Sequence, residues 1–300
     1  MITINEYLDN ILNDFQEYLA TTPKLCGLKT VHFDAGKIPD YCDIHVQQLY
    51  LLRYAYGYAF EYKCMYESLF NKYTFSDETV KVVSVGCGTG IDYWSMISAL
   101  KDVGLDDKMV KYKGIDIIDW KDKFPQRKND FMKIYQGEAV NIFTNAKSLS
   151  SDIYVFPKSI SELDSESIDK MCNAIQNQQI KKDTFYLLAS LRDDEFSLER
   201  DIEKTNKLFN AFINNGFKSE NDPHNSIVFK DDYKKKKIRE IDDDFKHPSG
   251  VVACLKDLNE YCINFNGFVN CENDCEQRLG RWPMLSCDKM RWQIFKFERR

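Results

Sequence analysis

Lys81 to Trp94 reads KVVSVGCGTGIDYW: an apolar strand pattern, three glycines at alternate positions (Gly86, Gly88 and Gly90), and then a helical pattern. A strand that ends in such a loop brings backbone close to a ligand, because glycine has no Cβ and tolerates positive φ. The spacing narrows the choice of ligand. A dinucleotide fingerprint requires G-x-G-x-x-G so that a pyrophosphate rests on the helix N-terminus. Here the third glycine arrives one residue early, and Tyr93 and Trp94 crowd the first turn. A P-loop would end in Gly-Lys-Ser/Thr, and that ending is absent.

Outward from the loop, strand and helix patterns alternate. Asp92 to Val103 has helix length, and Val110 to Asp119 (VKYKGIDIID) is a second strand pattern whose end presents Asp116, 26 residues beyond Gly90. Phe131 to Tyr135 is a third apolar run and leads into Gly137 and Glu138. Asp152 to Leu163 (DIYVFPKSISEL) reads as strand four with its loop, and Asp183 to Asp193 (DTFYLLASLRD) as strand five. Crossover helices are expected over Ser165 to Gln179 and Ser197 to Asn215, with Gly216 where a C-cap glycine sits.

With Asp116 at the next strand end, the strand followed by G-x-G-x-G resembles motif I of the class I S-adenosylmethionine (SAM) dependent methyltransferases. The resemblance implies an α/β fold with a doubly wound, mostly parallel seven-stranded sheet, completed by an antiparallel hairpin. It implies SAM as cofactor, held at the carboxyl ends of the strands. The backbone of Gly86 to Gly90, with Cys87 and Thr89 between the glycines, would line the amino-acid end of SAM. Asp116 would accept hydrogen bonds from the ribose hydroxyls, Glu138 would stand near the adenine, and Ile117 and Phe156 complete the implied cofactor-binding set. Cys87 reads as a small buried filler beneath the ligand rather than a reactive thiol.

The acceptor side is less defined. The strand-four loop reads Phe156-Pro157-Lys158-Ser159, not the Asn/Asp-Pro-Pro-Tyr of enzymes that methylate exocyclic amines of bases, and no Pro-Cys nucleophile is present. Lys158 and Ser159 are the candidates for orienting an acceptor oxygen or nitrogen; the alternative is a loop lysine in solvent and a serine capping the turn. The general base is not identified.

Three regions flank or interrupt the core. Residues 1–78 read as an N-terminal helical extension, with helices over Ile4 to Tyr18 and Asp40 to Phe70. In the second, Tyr50, Tyr54, Tyr58, Tyr62 and Tyr66 recur every four residues and form one slowly drifting stripe. The stripe is expected to pack the helix over the core; the functional alternative is that one or two rings wall the acceptor pocket. Arg53 and Glu61 share one face with Gly57 between them and are candidates for a polar contact through that wall.

The SAM-binding core spans 79–220, and Arg291 to Arg299 alternates as a last strand should, giving 291–300 as the final strand of the core sheet. Strand six is supplied either from Phe217 onward or by Ser226 to Lys230. Residues 221–290 then form an insertion far longer than a hairpin loop. The insertion side of the chain is rich in cysteine: Cys254, Cys262, Cys271, Cys275 and Cys287. Cys262, Cys271, Cys275 and Cys287 are candidate ligands for zinc or an iron–sulfur cluster, with Cys271-x3-Cys275 as the knuckle; the alternative is unligated thiols in a small core.

The net charge of −6 argues against a surface-wide footprint for nucleic acid, although Lys234 to Lys237 offers a local contact for RNA. That run is flanked by Asp231, Asp232 and Asp242 to Asp244, which also suits a solvated, ion-paired face. The opening residues lack the basic and apolar segments of a secretion signal and no apolar run reaches membrane-spanning length, so a cytoplasmic location with no membrane partner is expected. The function expected from the resemblance is methyl transfer to an unidentified RNA, protein or small-molecule acceptor. The alternatives are a catalytically inactive binding module of the same fold that docks RNA or protein, and a nicotinamide-dependent oxidoreductase, which the glycine spacing disfavours.

Overall fold

The computed structural model describes residues 3–22, 25–29, 31, 33, 39–192, 195–221, 227–230, 248–262, 283–284 and 290–300. Three helices come first: α1 (Ile4–Thr21), the short α2 (Cys26–Lys29) and α3 (Ile44–Lys72). The core follows as β1 (Thr79–Val85), α4 (Ile91–Asp102), β2 (Met109–Asp116), β3 (Phe131–Gln136), α5 (Val140–Thr144), β4 (Ile153–Pro157), α6 (Ser165–Asn177), β5 (Thr184–Leu191) and α7 (Glu195–Asn214). Then come β6 (Phe217–Lys218), β7 (Ile227–Lys230), α8 (Ser249–Lys256) and β8 (Met290–Arg299).

The sheet runs β3-β2-β1-β4-β5-β8-β6, with β7 also pairing β8. Strands β1 to β5 are mutually parallel, and β8 enters antiparallel beside β5 in the register Leu188↔Ile294. Phe217 pairs with Arg299 and Ile227 with Gln293, so β6 and β7 occupy one strand position at successive places along β8. Both expected sources of strand six are therefore used. The eight strands fill seven positions: an α/β, doubly wound, methyltransferase-like sheet.

Local sequence explains where the helices begin and end. Thr3 and Glu6 form a reciprocal capping box on α1, Asp43 caps α3 through the His45 N–H, and Asp164 caps α6 through the Ser167 N–H. Gly216, at φ 99°, ends α7 as its position predicts.

Two hydrophobic clusters cover the two faces of the sheet. On one, α1, α3, α4 and α8 pack against Val82, Val110, Val155, Leu188 and Trp292; on the other, α5, α6 and α7 pack against Tyr154, Phe185, Leu187, Phe295 and Phe297. Helix α3 is buried on most of its circumference because it lies between α1, α4 and the sheet. Its approach to α4 is close: the Ser95 hydroxyl donates to the Ala59 carbonyl at 2.8 Å, and the Lys63 ammonium meets Asp102 at 2.6 Å.

One crossover departs from simple alternation. Between β2 and β3, residues 117–130 carry no helix. Helix α1 covers this connection instead: the Tyr7 ring packs against Phe124, tilted by 44° with centroids 4.7 Å apart, and its hydroxyl donates to the Asp122 carbonyl at 2.5 Å. The far end of the loop is fixed by Arg127, whose guanidinium binds Asp130 and the Asp106 carbonyl.

Candidate cofactor and acceptor site

At the end of β1 the backbone turns through left-handed glycines, Gly86 at φ 68°, Gly88 at 56° and Gly90 at 87°. A residue with a Cβ costs roughly 1–2 kcal/mol in that conformation. Packing adds a second requirement at two of the positions: a Cβ on Gly86 would lie 2.3 Å from the Ser159 Cβ, and one on Gly90 2.3 Å from the Met132 Cε. At Gly88 the nearest atom would be the edge of Trp120, at 4.0 Å. Gly88 therefore faces open space, and the loop presents bare backbone there.

The Ile115 carbonyl accepts from the Gly86 and Cys87 N–H groups at 2.8 and 3.2 Å, pinning the loop to β2. Asp116, the last residue of β2, accepts the Gly88 N–H at 2.8 Å on one oxygen and the Ile118 N–H at 2.9 Å on the other. A carboxylate offers about four lone-pair positions, so capacity for a further donor remains beyond these N–H groups and the Trp120 indole. Burial pushes the Asp116 carboxyl above its ordinary range, opposed by the Ile118 and Gly88 N–H groups and by the Trp120 indole. Ile117 beside it is 69% exposed, an apolar side chain just past a strand end. A ribose with an adjoining planar base fits these two neighbours, one as acceptor and one as apolar surface.

Cys87 is buried, with its thiol pushed well up by desolvation, which suits a filler and not a nucleophile. Its Sγ lies 2.4 Å from where a Cβ on Gly114 would stand, so Gly114 makes room for it. Thr89 is buried beside Tyr7 of α1. Glu138 stands exposed just beyond β3. Phe156 lies fully inside the second hydrophobic cluster, so only its backbone is available to a ligand.

The two acceptor-side candidates are both engaged within the protein. The Ser159 hydroxyl donates to the Val85 carbonyl, while its Cβ abuts Gly86, so this side chain locks the end of β1. Lys158, at φ 53°, is the one non-glycine residue in left-handed conformation among the described residues. Its ammonium lies 2.7 Å from Glu61 of α3, donates to the Leu191 carbonyl at 3.2 Å, and stands 5.5 Å above the Tyr58 ring. It is thus neither a solvent lysine nor a lone acceptor contact. Glu61 takes the polar role its position on the α3 face suggested, whereas the Arg53 guanidinium lies over the Tyr54 ring at 4.9 Å. The main-chain carbonyl of Arg53 accepts the Met284 N–H at 2.8 Å.

The tyrosine stripe divides. Tyr62 and Tyr66 are buried in the core; Tyr50, Tyr54 and Tyr58 remain partly exposed and pack on one another, with Tyr50 adjoining Tyr41 and Trp120. Burial raises the phenols of Tyr41, Tyr50 and Tyr58, keeping them protonated. Beneath them, Asp92 in the first turn of α4 accepts from Tyr112 at 2.6 Å and Tyr66 at 3.5 Å, and desolvation lifts its carboxyl to about 6. Trp120, Asp92 and Arg192, whose guanidinium pairs with Glu162 and whose charge acts on Tyr41, Tyr50 and Tyr58, fall outside the sequence candidates. A tryptophan four residues past Asp116 was the available signal for the first; the other two depend on contacts that no local pattern carries.

Among the cysteines, Cys254 and Cys262 are buried free thiols in the cluster that α8 shares with α1, and desolvation pushes Cys254 to about 11. Cys271, Cys275 and Cys287 lie outside the described residues, as do Lys234 to Lys237. Among the described residues no group of three or more His, Cys, Asp or Glu is placed to hold a metal ion. No helix of the described residues is long and apolar enough to cross a membrane.

Neither a family model nor a curated protein matches the chain. Solved structures similar to it include a SAM-dependent methyltransferase from Archaeoglobus fulgidus, 12% identical, covering 79% of this chain and 94% of that one with a TM-score of 0.37. A geranyl diphosphate C-methyltransferase from Streptomyces coelicolor A3(2), in complex with Mg²⁺, geranyl diphosphate and S-adenosyl-L-homocysteine, is 9% identical over 97% of this chain and 98% of that one, at a TM-score of 0.36. A loganic acid methyltransferase with S-adenosylhomocysteine is 10% identical over 82% and 94%, at 0.38. At these scores the likenesses carry no weight about activity. Strand order, the antiparallel β8 and the glycine loop at the carboxyl edge define the class: a class I methyltransferase-like fold.

Proposed function

We propose that the chain is a SAM-dependent methyltransferase. The observation that carries this reading is Asp116 clasping the Gly88 N–H, at the carboxyl edge of the sheet and below a loop left bare by three glycines. The bare backbone of Gly86 to Gly90 would receive the amino-acid end of SAM, the free lone pairs of Asp116 the ribose hydroxyls, and Ile117 the adenine face; Glu138 would lie beyond it. SAM supplies an electrophilic methyl group, so the protein's task is mainly to align donor and acceptor. Such alignment removes roughly 7–11 kcal/mol of barrier in well-oriented systems.

The chain's own residues prepare that geometry. Ser159 fixes the β1 end, Lys158 and Glu61 tie α3 to the strand-four loop, and the Tyr58 ring of α3 lies beneath the Lys158 ammonium. Incubation with radiolabelled SAM and a host extract separated into RNA, protein and small-molecule fractions tests the reading. Label is expected in one fraction and identifies the acceptor class; label in none contradicts an active methyltransferase.

A further inference from the structure

The sheet is covered unevenly. Strands β4 and β5 bury nearly every residue, as strands with helices on both faces do, whereas β2 and β3 alternate between covered and more exposed positions, the pattern of a sheet with one face in water. The helices explain the difference. Residues 117–130 between β2 and β3 form no helix and α5 has only five residues, so the second hydrophobic cluster reaches β2 at Ile115 and takes in no residue of β3. Five exposed side chains stand there: Lys111 and Lys113 on β2, and Phe131, Lys133 and Tyr135 on β3. The parallel register sets Lys111 beside Phe131 and Lys113 beside Lys133, all on one face, while Tyr112, Met132 and Ile134 pack on the other. Phe131 is 48% and Tyr135 41% exposed, and the Lys133 ammonium lies 4.6 Å from the centre of the Tyr135 ring. We propose that this open face of β2 and β3 is a docking surface for single-stranded RNA, separate from the glycine loop and independent of the SAM reading.

The chemistry of the five side chains selects this partner. Aromatic rings offer stacking surface to bases, and ammonium groups among them meet the phosphates that join those bases. Side chains four residues apart on a strand stand about 13 Å apart, which is about four steps of bases stacked at about 3.4 Å. Phe131 and Tyr135 can therefore each hold a base of one short run, with the three lysines beside and between them. A base on the Tyr135 ring displaces the Lys133 ammonium toward the adjoining phosphate. Neither strand places an acidic residue on this face: the carboxylate of Asp116 is turned to the Gly88 N–H and that of Asp130 to Arg127. The chain's net charge of −6 does not outweigh the local set, because charges more than about 10 Å away are largely screened at 0.1 M salt. A duplex hides its base faces, whereas splaying bases onto the aromatics of an open sheet is a way in which single-stranded RNA is recognised. As the outer strand of the sheet, β3 leaves one side of the face open for the strand to enter and leave.

Fluorescence anisotropy of the wild-type protein with a labelled oligouridine of about eight nucleotides, without SAM, tests the proposal. Saturable binding at about 50 mM salt is expected, with log affinity falling against log salt at a slope near −2, about −0.7 for each of three phosphates. Phe131→Ala and Tyr135→Ala are each expected to weaken binding about tenfold through lost stacking, and the Lys111→Gln/Lys113→Gln double variant to bring the slope to about −0.7. Lys170→Gln, at an exposed lysine of α6, is expected to leave affinity unchanged. Double-stranded RNA of the same length should bind the wild type about tenfold more weakly, a comparison that decides even if a variant does not fold. Equal binding of the duplex, tighter binding of an oligodeoxyuridine of the same length, or alanine variants that bind like the wild type would overturn the proposal. So would absent oligouridine binding together with capture on phosphatidylserine vesicles, which would assign the face to a membrane surface. SAM affinity is read in a separate titration, so either reading can fail without the other.

Discussion

Asp116 holds the Gly88 N–H at 2.8 Å, so the carboxylate at the end of β2 and the glycine turn at the end of β1 form one unit. The adjacent Ile118 N–H takes the other oxygen at 2.9 Å. The carboxylate thus shapes the loop before any ligand arrives, and its remaining lone pairs point the way to a diol. Loop shape and, in the proposed function, ligand binding depend on the same side chain.

Asp116→Ala removes both backbone contacts and the proposed ribose acceptor. Charge-assisted hydrogen bonds contribute about 1.5–3 kcal/mol, so S-adenosylhomocysteine should bind roughly ten- to a hundredfold more weakly in calorimetry. Unchanged affinity would remove Asp116 from the site.

Gly86→Ala places a Cβ 2.3 Å from the Ser159 Cβ while forcing an L-residue to hold φ 68°. Conformation alone costs roughly 1–2 kcal/mol, and the steric overlap adds to it. A lower denaturation midpoint and weaker ligand binding are expected together. A variant of full stability would mean that the turn is not needed in this form.

Asp92 gives a pH dependence of definite sign. Its carboxyl is raised from 3.8 to about 6 in the folded protein because burial penalises the charge. The folded state then binds the proton more tightly than the unfolded state. The stabilisation is fully present below about pH 3.8 and is lost as pH rises through about 6. A rise of about two units corresponds to about 3 kcal/mol. Asp92→Asn should therefore gain stability on the wild type as pH increases across that window, read from thermal melts at a series of pH values; a pH-independent difference would contradict the buried charge.

Lys158→Met leaves Glu61 as a buried carboxylate without its ammonium. Breaking a buried ion pair costs about 3–5 kcal/mol, whereas replacing both partners by apolar residues costs much less. Lys158→Met is thus expected to be less stable than the double variant Lys158→Met/Glu61→Met in urea unfolding. The opposite order would show that the pair is not coupled.

The parts of this molecule written in local sequence were legible without a structure. The glycine turn, Asp116, the helices under α4, α6 and α7, and the alternation of β8 each depend on residues close together in the chain. The split of strand six between β6 and β7 was visible only as two alternatives, because nothing local says that both pair with β8. The acceptor side was less legible for a similar reason. Lys158 and Ser159 looked like groups facing a substrate or solvent. Their partners, Glu61 and Val85, lie 97 and 74 residues away and are brought near only by α3 lying over the sheet. The same packing turns two of the five tyrosines of a regular stripe into core and leaves Tyr50, Tyr54 and Tyr58 partly exposed.

Calorimetric titration of the wild-type protein with SAM tests the central claim most directly. Saturable binding at one site, weakened at least about tenfold by Asp116→Ala, is the predicted result. No detectable heat with SAM at about 1 mM, a concentration that reveals even weak sites, would contradict it.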